Sequence, residues 1–213
     1  MALKILAFSD IHADEGALQG LQEIFSRNDY DLVICAGDLS NRGPISFVQQ
    51  LLDIFGEKFY FVHGNMDSTP VLDLLRKYPN YLHGRKINLG EWNLVGLGGS
   101  NPTPFSTPSE LSETQIAHIL KNSNVDSHTI LVSHPPPKGI FDGVRGEINA
   151  GSSAVRECMD KNKPLILLCG HIHENEGKKI VGDTLVIKLG AAEARRAAQI
   201  EIGDEIKAEF LTF

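Results

Sequence analysis

Residues 164–173 read PLILLCGHIH, an apolar run of strand length closed by a glycine and two imidazoles, His171 and His173. The same grammar recurs along the chain. LKILAFS (3–9) is followed by Asp10 and His12, DLVICAG (31–37) by Asp38, KFYFVHG (58–64) by Asn65, and HTILVS (128–133) by His134. In an open α/β sheet, ligands bind at the carboxyl ends of the strands, so donors distant in sequence can converge there.

Segments of helical period separate these runs. GALQGLQEIFSR (16–27) repeats apolar residues at Leu18, Leu21, Ile24 and Phe25, and ISFVQQLLDIF (45–55) does likewise. STPVLDLLRKY (68–78) reads as a third helix, capped by Ser68 or Thr69 with Pro70 in its first turn. ELSETQIAHILKN (110–122) and SAVRECMDK (153–161) supply two more. Strands alternating with helices imply βαβ units and parallel pairing. YLHGRKINLG and EWNLVGLGG read as adjacent strands, and DTLVIKLG, RAAQIEIG and EIKAEFLTF as three strands at the tail. The expected class is α/β, with two sheets packed face to face, helices outside, and one sheet fed by each half.

At 213 residues, one domain spanning 1–213 is the expectation. A composition 42% hydrophobic and 22% charged is that of a soluble globular chain. The formal charge of -7 argues against an extended nucleic-acid surface or an anionic membrane partner. It leaves room for a phosphate-bearing substrate, because bound cations reverse the local sign. Three cysteines, two of them in apolar strand runs, fit a reducing compartment. LKILAF is too short for a signal-peptide core, and no stretch approaches the roughly 20 apolar residues of a membrane span. A cytoplasmic location is expected.

The donors are Asp10, His12, Asp38, Asn65, His134, His171 and His173. Residues at i and i+2 of an extended segment point to one side, so Asp10 with His12, and His171 with His173, can each present two donors together. Taken singly these pieces are weak: DxH serves as a helix cap, GD marks a turn, and GN supplies positive φ. Taken together, seven donors exceed the needs of one tetrahedral zinc and suit two cations sharing a carboxylate, with Asp38 as the natural bridge.

DIH (10–12), GDLSNRG (37–43), GNMD (64–67), SHPP (133–136) and GHIH (170–173) stand in an order that resembles the calcineurin-like metallophosphoesterases. The resemblance implies a four-layer αββα sandwich built on two mixed sheets. It assigns Asp10, His12 and His173 to one divalent metal ion, Asn65, His134 and His171 to another, and Asp38 to both. The ion expected first is manganese, with iron, zinc, nickel or magnesium as alternatives. It also implies hydrolysis of a phosphoester by metal-bound hydroxide, and small enzymes of this fold are often homodimers.

One departure matters. Many family members carry a histidine after the motif asparagine, where this chain has Met66. A thioether cannot transfer a proton, so His63 becomes a candidate catalytic group, or else it packs or caps the strand. Arg42 resembles the phosphate-gripping arginine of protein phosphatases, and its bland reading is a surface residue closing a turn before Pro44. The loop with Phe105, and the loop with Lys138, Asp142 and Arg145, are read as substrate walls or plain connectors. The first functional expectation is a phosphodiesterase acting on a small or nucleotide-like substrate. The alternatives are a phosphomonoesterase or protein phosphatase, and a scaffold that keeps the fold without hydrolysis.

Overall fold

The computed structural model describes residues 2–144 and 148–213. The first half alternates as read: β1 (Leu3–Phe8), α1 (Glu15–Arg27), β2 (Leu32–Ala36), α2 (Ile45–Phe55), β3 (Phe59–Val62) and α3 (Thr69–Leu75). There follow β4 (Lys86–Leu89), β5 (Trp92–Leu97), α4 (Glu113–Asn122), β6 (Thr129–Ser133), a short hairpin of β7 (Gly143–Val144) and β8 (Ile148–Asn149), α5 (Ser153–Asn162) and β9 (Ile166–Cys169). The chain finishes with β10 (Gly177–Val181), β11 (Thr184–Lys188), β12 (Arg196–Ile202) and β13 (Ile206–Thr212).

The strands form a five-stranded sheet, β13-β12-β1-β2-β3, and a six-stranded sheet, β10-β11-β9-β6-β5-β4. Both are mixed. β1, β2 and β3 run parallel, with β12 antiparallel to β1. β5, β6, β9 and β11 run parallel, flanked by antiparallel β4 and β10.

Alternation along the central strands builds the layers, because successive side chains leave opposite faces. Leu6 and Phe8 of β1 pack with Leu21, Phe47 and Leu51 of the first helices, while Ile5 and Ala7 face Ile130, Val132, Ile166 and Leu168 of the other sheet. Leu131 and Leu167 point the other way, onto Ile116 and Leu120 of α4 and Val155 and Met159 of α5. Three apolar interfaces thus separate four layers, the αββα sandwich. Strands buried on both faces read as near-continuous apolar runs, as β2, β6 and β9 do.

Two local expectations change, and one strand was not anticipated. The tail does not stay with the second sheet: β12 returns to pair with β1, from Leu3↔Ile202 to Ala7↔Ala198, covering what would otherwise be an open sheet edge. Ser68 occupies the N-cap of α3 without capping it, since its hydroxyl donates to the Arg42 carbonyl at 3.0 Å. β10, with Lys178 and Lys179, carries no apolar alternation because it is an exposed edge strand. Among the described residues no helix is long and apolar enough to cross a membrane.

Candidate metal centre

The seven donors collect where the carboxyl ends of both sheets meet. The loops interlock through backbone bonds: Asp10 N–H donates to the Gly37 carbonyl at 2.9 Å, His12 N–H to the Asp38 carbonyl at 3.1 Å, and Gly170 N–H to the His134 carbonyl at 3.1 Å. Asp10, His12, Asp38 and His171 have φ of 55°, 49°, 51° and 74°. A non-glycine residue in this left-handed region costs roughly 1–2 kcal/mol, and such strain clusters at functional sites. The glycines of GN and GH act by close approach, not by the positive φ expected of GN. Neither Gly64 nor Gly170 has positive φ, yet a Cβ at Gly64 would strike the Asp38 carboxylate, and one at Gly170 would strike Ser9 and Asp10.

Two groups result. Asp10, His12 and His173 each offer an atom within 4.8 Å of the others, as do Asp38, His134 and His171. Asp38 lies between them, its Oδ2 3.7 Å from His12 Nε2 and 3.4 Å from His134 Nε2, while its Oδ1 accepts the Met66 N–H at 2.8 Å. His134 Nδ1 is 2.8 Å from the Ala36 carbonyl, which accepts its N–H and turns Nε2 toward Asn65 Oδ1 at 2.9 Å. His173 Nε2 is 3.5 Å from Asp10 Oδ1, and its Nδ1 is 3.3 Å from Glu193 Oε1. His171 and His173 therefore fall in different groups, as the resemblance implies, while Asp10 and His12 share one although both are left-handed, so the i, i+2 spacing does not decide the grouping.

The electrostatics favour positive charge. Burial opposes an ionised Asp10, but His173, His134 and Lys188 hold its carboxyl well below the usual range. Burial likewise opposes a protonated His134, but Asp38, Asp10 and the Ala36 carbonyl raise its pKa to about 9. Burial and then the charge of His134 lower His171 to about 4, leaving a neutral imidazole with a lone pair. His12 Nδ1 is buried without a hydrogen-bond partner. A set of imidazoles, carboxylates and one amide that attracts positive charge fits divalent cations of intermediate softness.

Other predicted residues stand apart. His63 is 4% exposed, with Nδ1 2.7 Å from the Tyr81 hydroxyl and its ring against His83; burial lowers its pKa well below the ordinary value. Arg42 is exposed at φ 65°, its N–H donating to the Met66 carbonyl at 2.9 Å. The Phe105 loop closes on the centre through Ser109, whose N–H donates to the Asn65 carbonyl at 3.0 Å and whose hydroxyl donates to the Asp67 carbonyl at 2.7 Å. Phe105 itself is 79% exposed. Asp142 is no substrate wall: it is buried and accepts the N–H groups of Gly139 and Gly151, bracing its own loop. Lys138 is exposed, and Arg145 lies outside the described residues.

Two neighbours escaped the sequence reading. Asp67, the last letter of GNMD, accepts the N–H groups of Leu39, Ser40 and Gly64 at 3.1, 2.8 and 2.9 Å, locking the Asp38 loop to the Asn65 loop. Lys188 is fully buried and donates to the Leu189 carbonyl at 2.7 Å. Its position at the end of an apolar strand gave no signal beyond one charge in VIKLG.

The chain is 31% identical over 193 residues to protein MJ1162 of Methanocaldococcus jannaschii, a match covering 87% of each. Its fold resembles TT1561 of Thermus thermophilus, with TM-score 0.73 and 18% identity over 100% of this chain and 99% of that one. It also resembles an archaeal phosphodiesterase, with TM-score 0.58 and 13% identity over 98% of this chain and 100% of that one. The calcineurin-like phosphoesterase model matches residues 3–175, a span holding all seven donors, and the chain belongs to that family.

Proposed function

We propose that this chain is a two-metal phosphodiesterase that hydrolyses a small or nucleotide-like phosphoester. The observation that carries the reading is Asp38 Oδ2, set between an imidazole of one group, His12, and an imidazole of the other, His134. Asp10, His12 and His173 hold one cation, Asn65, His134 and His171 the other, and Asp38 both. Two cations supply a nucleophile from water at neutral pH and positive charge for the phosphoryl oxygens. Around them the chain's own residues set the geometry. The Ala36 carbonyl holds the His134 proton on Nδ1, so the Nε2 proton is the one a cation would displace. The Met66 N–H holds one oxygen of Asp38, leaving the other for the centre.

Phosphodiester specificity is supported by the likeness to an archaeal phosphodiesterase, and Met66, with no histidine there to protonate a poor leaving group, favours esters with good leaving groups. Arg42 is the observation that favours a phosphomonoesterase instead. The test uses manganese-loaded protein with bis(p-nitrophenyl) phosphate and p-nitrophenyl phosphate. The diester is expected to be the faster substrate, and Asp38→Asn to lower its turnover by about 10²-fold or more. A preference for the monoester would overturn the diesterase reading, and native turnover in Asp38→Asn would overturn the role of the shared carboxylate.

A further inference from the structure

All seven donors precede residue 175, but the wall beside His173 is built by a turn beyond the span that the family model matches. This turn, Ala192–Ala194, follows β11 and docks on the end of β1. Ala192 N–H donates to the Ser9 carbonyl at 2.8 Å, and Glu193 N–H to the Asp10 carbonyl at 3.2 Å. Glu193 is thereby fixed to the same backbone that carries Asp10. Arg195 secures the far side, pairing with Asp14 Oδ1 at 3.0 Å and donating to the Glu193 carbonyl at 2.9 Å. Asp14 in turn caps α1 through the Ala17 N–H at 2.7 Å.

The Glu193 side chain reaches one atom of the centre. Its Oε1 is 3.3 Å from His173 Nδ1, within ion-pair distance though not aligned as a hydrogen bond, on the opposite side of the ring from Nε2, which faces Asp10. The contrast with His134 explains the need. His134 is fully buried, and a backbone carbonyl fixes its tautomer. His173 has 40% of its side chain exposed, on a loop beyond the strand, with no comparable backbone acceptor among the described residues. A ligating imidazole commonly donates its other N–H to a carboxylate, which fixes the ring's orientation and raises its basicity.

The geometry points to Glu193 as a positioning residue of the metal centre, an acceptor for His173 Nδ1–H that holds Nε2 toward the site beside Asp10. This rests on the two-metal reading and adds to it a residue outside the family's matched span. It acts through His173 and touches no substrate.

The test is a titration of the full chain with manganese chloride, following the free ion by electron paramagnetic resonance, alongside the melting temperature of the metal-free protein. Native protein is expected to bind two ions. Glu193→Ala is expected to keep one at native affinity and to weaken the other about 10–100-fold. Glu193→Gln keeps an oxygen acceptor and is expected to stay nearer to native. The metal-free melting temperature is expected to be the same in all three, because the side chain is a rim group. Two ions at native affinity in Glu193→Ala would overturn this inference alone. A melting temperature that falls along with the affinity of both ions would also overturn it, revealing a merely structural role. Native protein that binds no manganese would overturn the two-metal reading, and this inference with it.

Discussion

Met66 carries the sharpest chemical question. Its backbone N–H serves the centre by holding Asp38, while its half-buried thioether offers no proton. If no other side chain supplies one, the rate depends steeply on leaving-group pKa, and aryl esters are cleaved far faster than alkyl esters. Met66→His should flatten that dependence, because positioned acid catalysis contributes about 10²–10⁴-fold and helps poor leaving groups most. A series of substituted phosphodiesters on both forms, with metal content measured in each, decides it. A shallow slope in the native protein would sink the idea and turn attention to His63, although its burial and its bond to Tyr81 mark it as a packed, neutral imidazole. At this scale the donors were legible, because each closes an apolar run. Glu193 and Lys188 were not, because a single charge after a tail strand differs in no way from a solvated one until the fold brings it to the site.

The loop from Ser100 to Glu110 is held by one carboxylate. Glu110 Oε1 accepts the hydroxyls of Thr103 and Thr107, both at 2.6 Å, and the Thr107 N–H at 2.8 Å. Burial would raise its pKa, but these bonds prevail and lower it from 4.5 to about 2. The brace therefore stabilises the fold fully above the ordinary carboxylate value and is lost progressively as pH falls from there to about 2. Hydrogen exchange at Thr107 should therefore be about fivefold faster in Glu110→Gln than in the native protein, since bonds to a charged acceptor are the stronger ones. The ratio should be the same at pH 8 and pH 6, and should shrink below about pH 4.5, where the opened chain takes up the proton. A ratio that does not change between pH 6 and pH 3 would mean Glu110 titrates as an ordinary carboxylate. Composition marked this segment as a loop rich in proline, serine and threonine. Its closure onto Asn65 and Asp67 depends on Ser109, one serine among several, and could not be singled out in advance.

At the scale of the whole molecule, periodicity and the family resemblance together gave the four layers but not the strand order. That the last two strands cross back to β1 depends on which sheet edge remains open, a property of the assembled fold. The same assembly has a thermodynamic consequence. Asp10, His12, Asp38 and Asn65 follow strands of the five-stranded sheet, whereas His134, His171 and His173 follow strands of the six-stranded one. Cations bound by both sets would join the two sheets, an arrangement the unfolded chain cannot present. A ligand at a hundredfold excess over its dissociation constant that binds only the folded state stabilises it by about 2.7 kcal/mol. For a chain of 213 residues this raises the melting temperature by about 5–10 °C. Scanning calorimetry with manganese chloride, then with excess chelator, should show that rise and its reversal. Asp38→Asn should show a smaller rise, since the shared carboxylate contributes to both ions. A melting temperature indifferent to manganese, or an equal rise in Asp38→Asn, would mean that the cations do not bridge the sheets through Asp38.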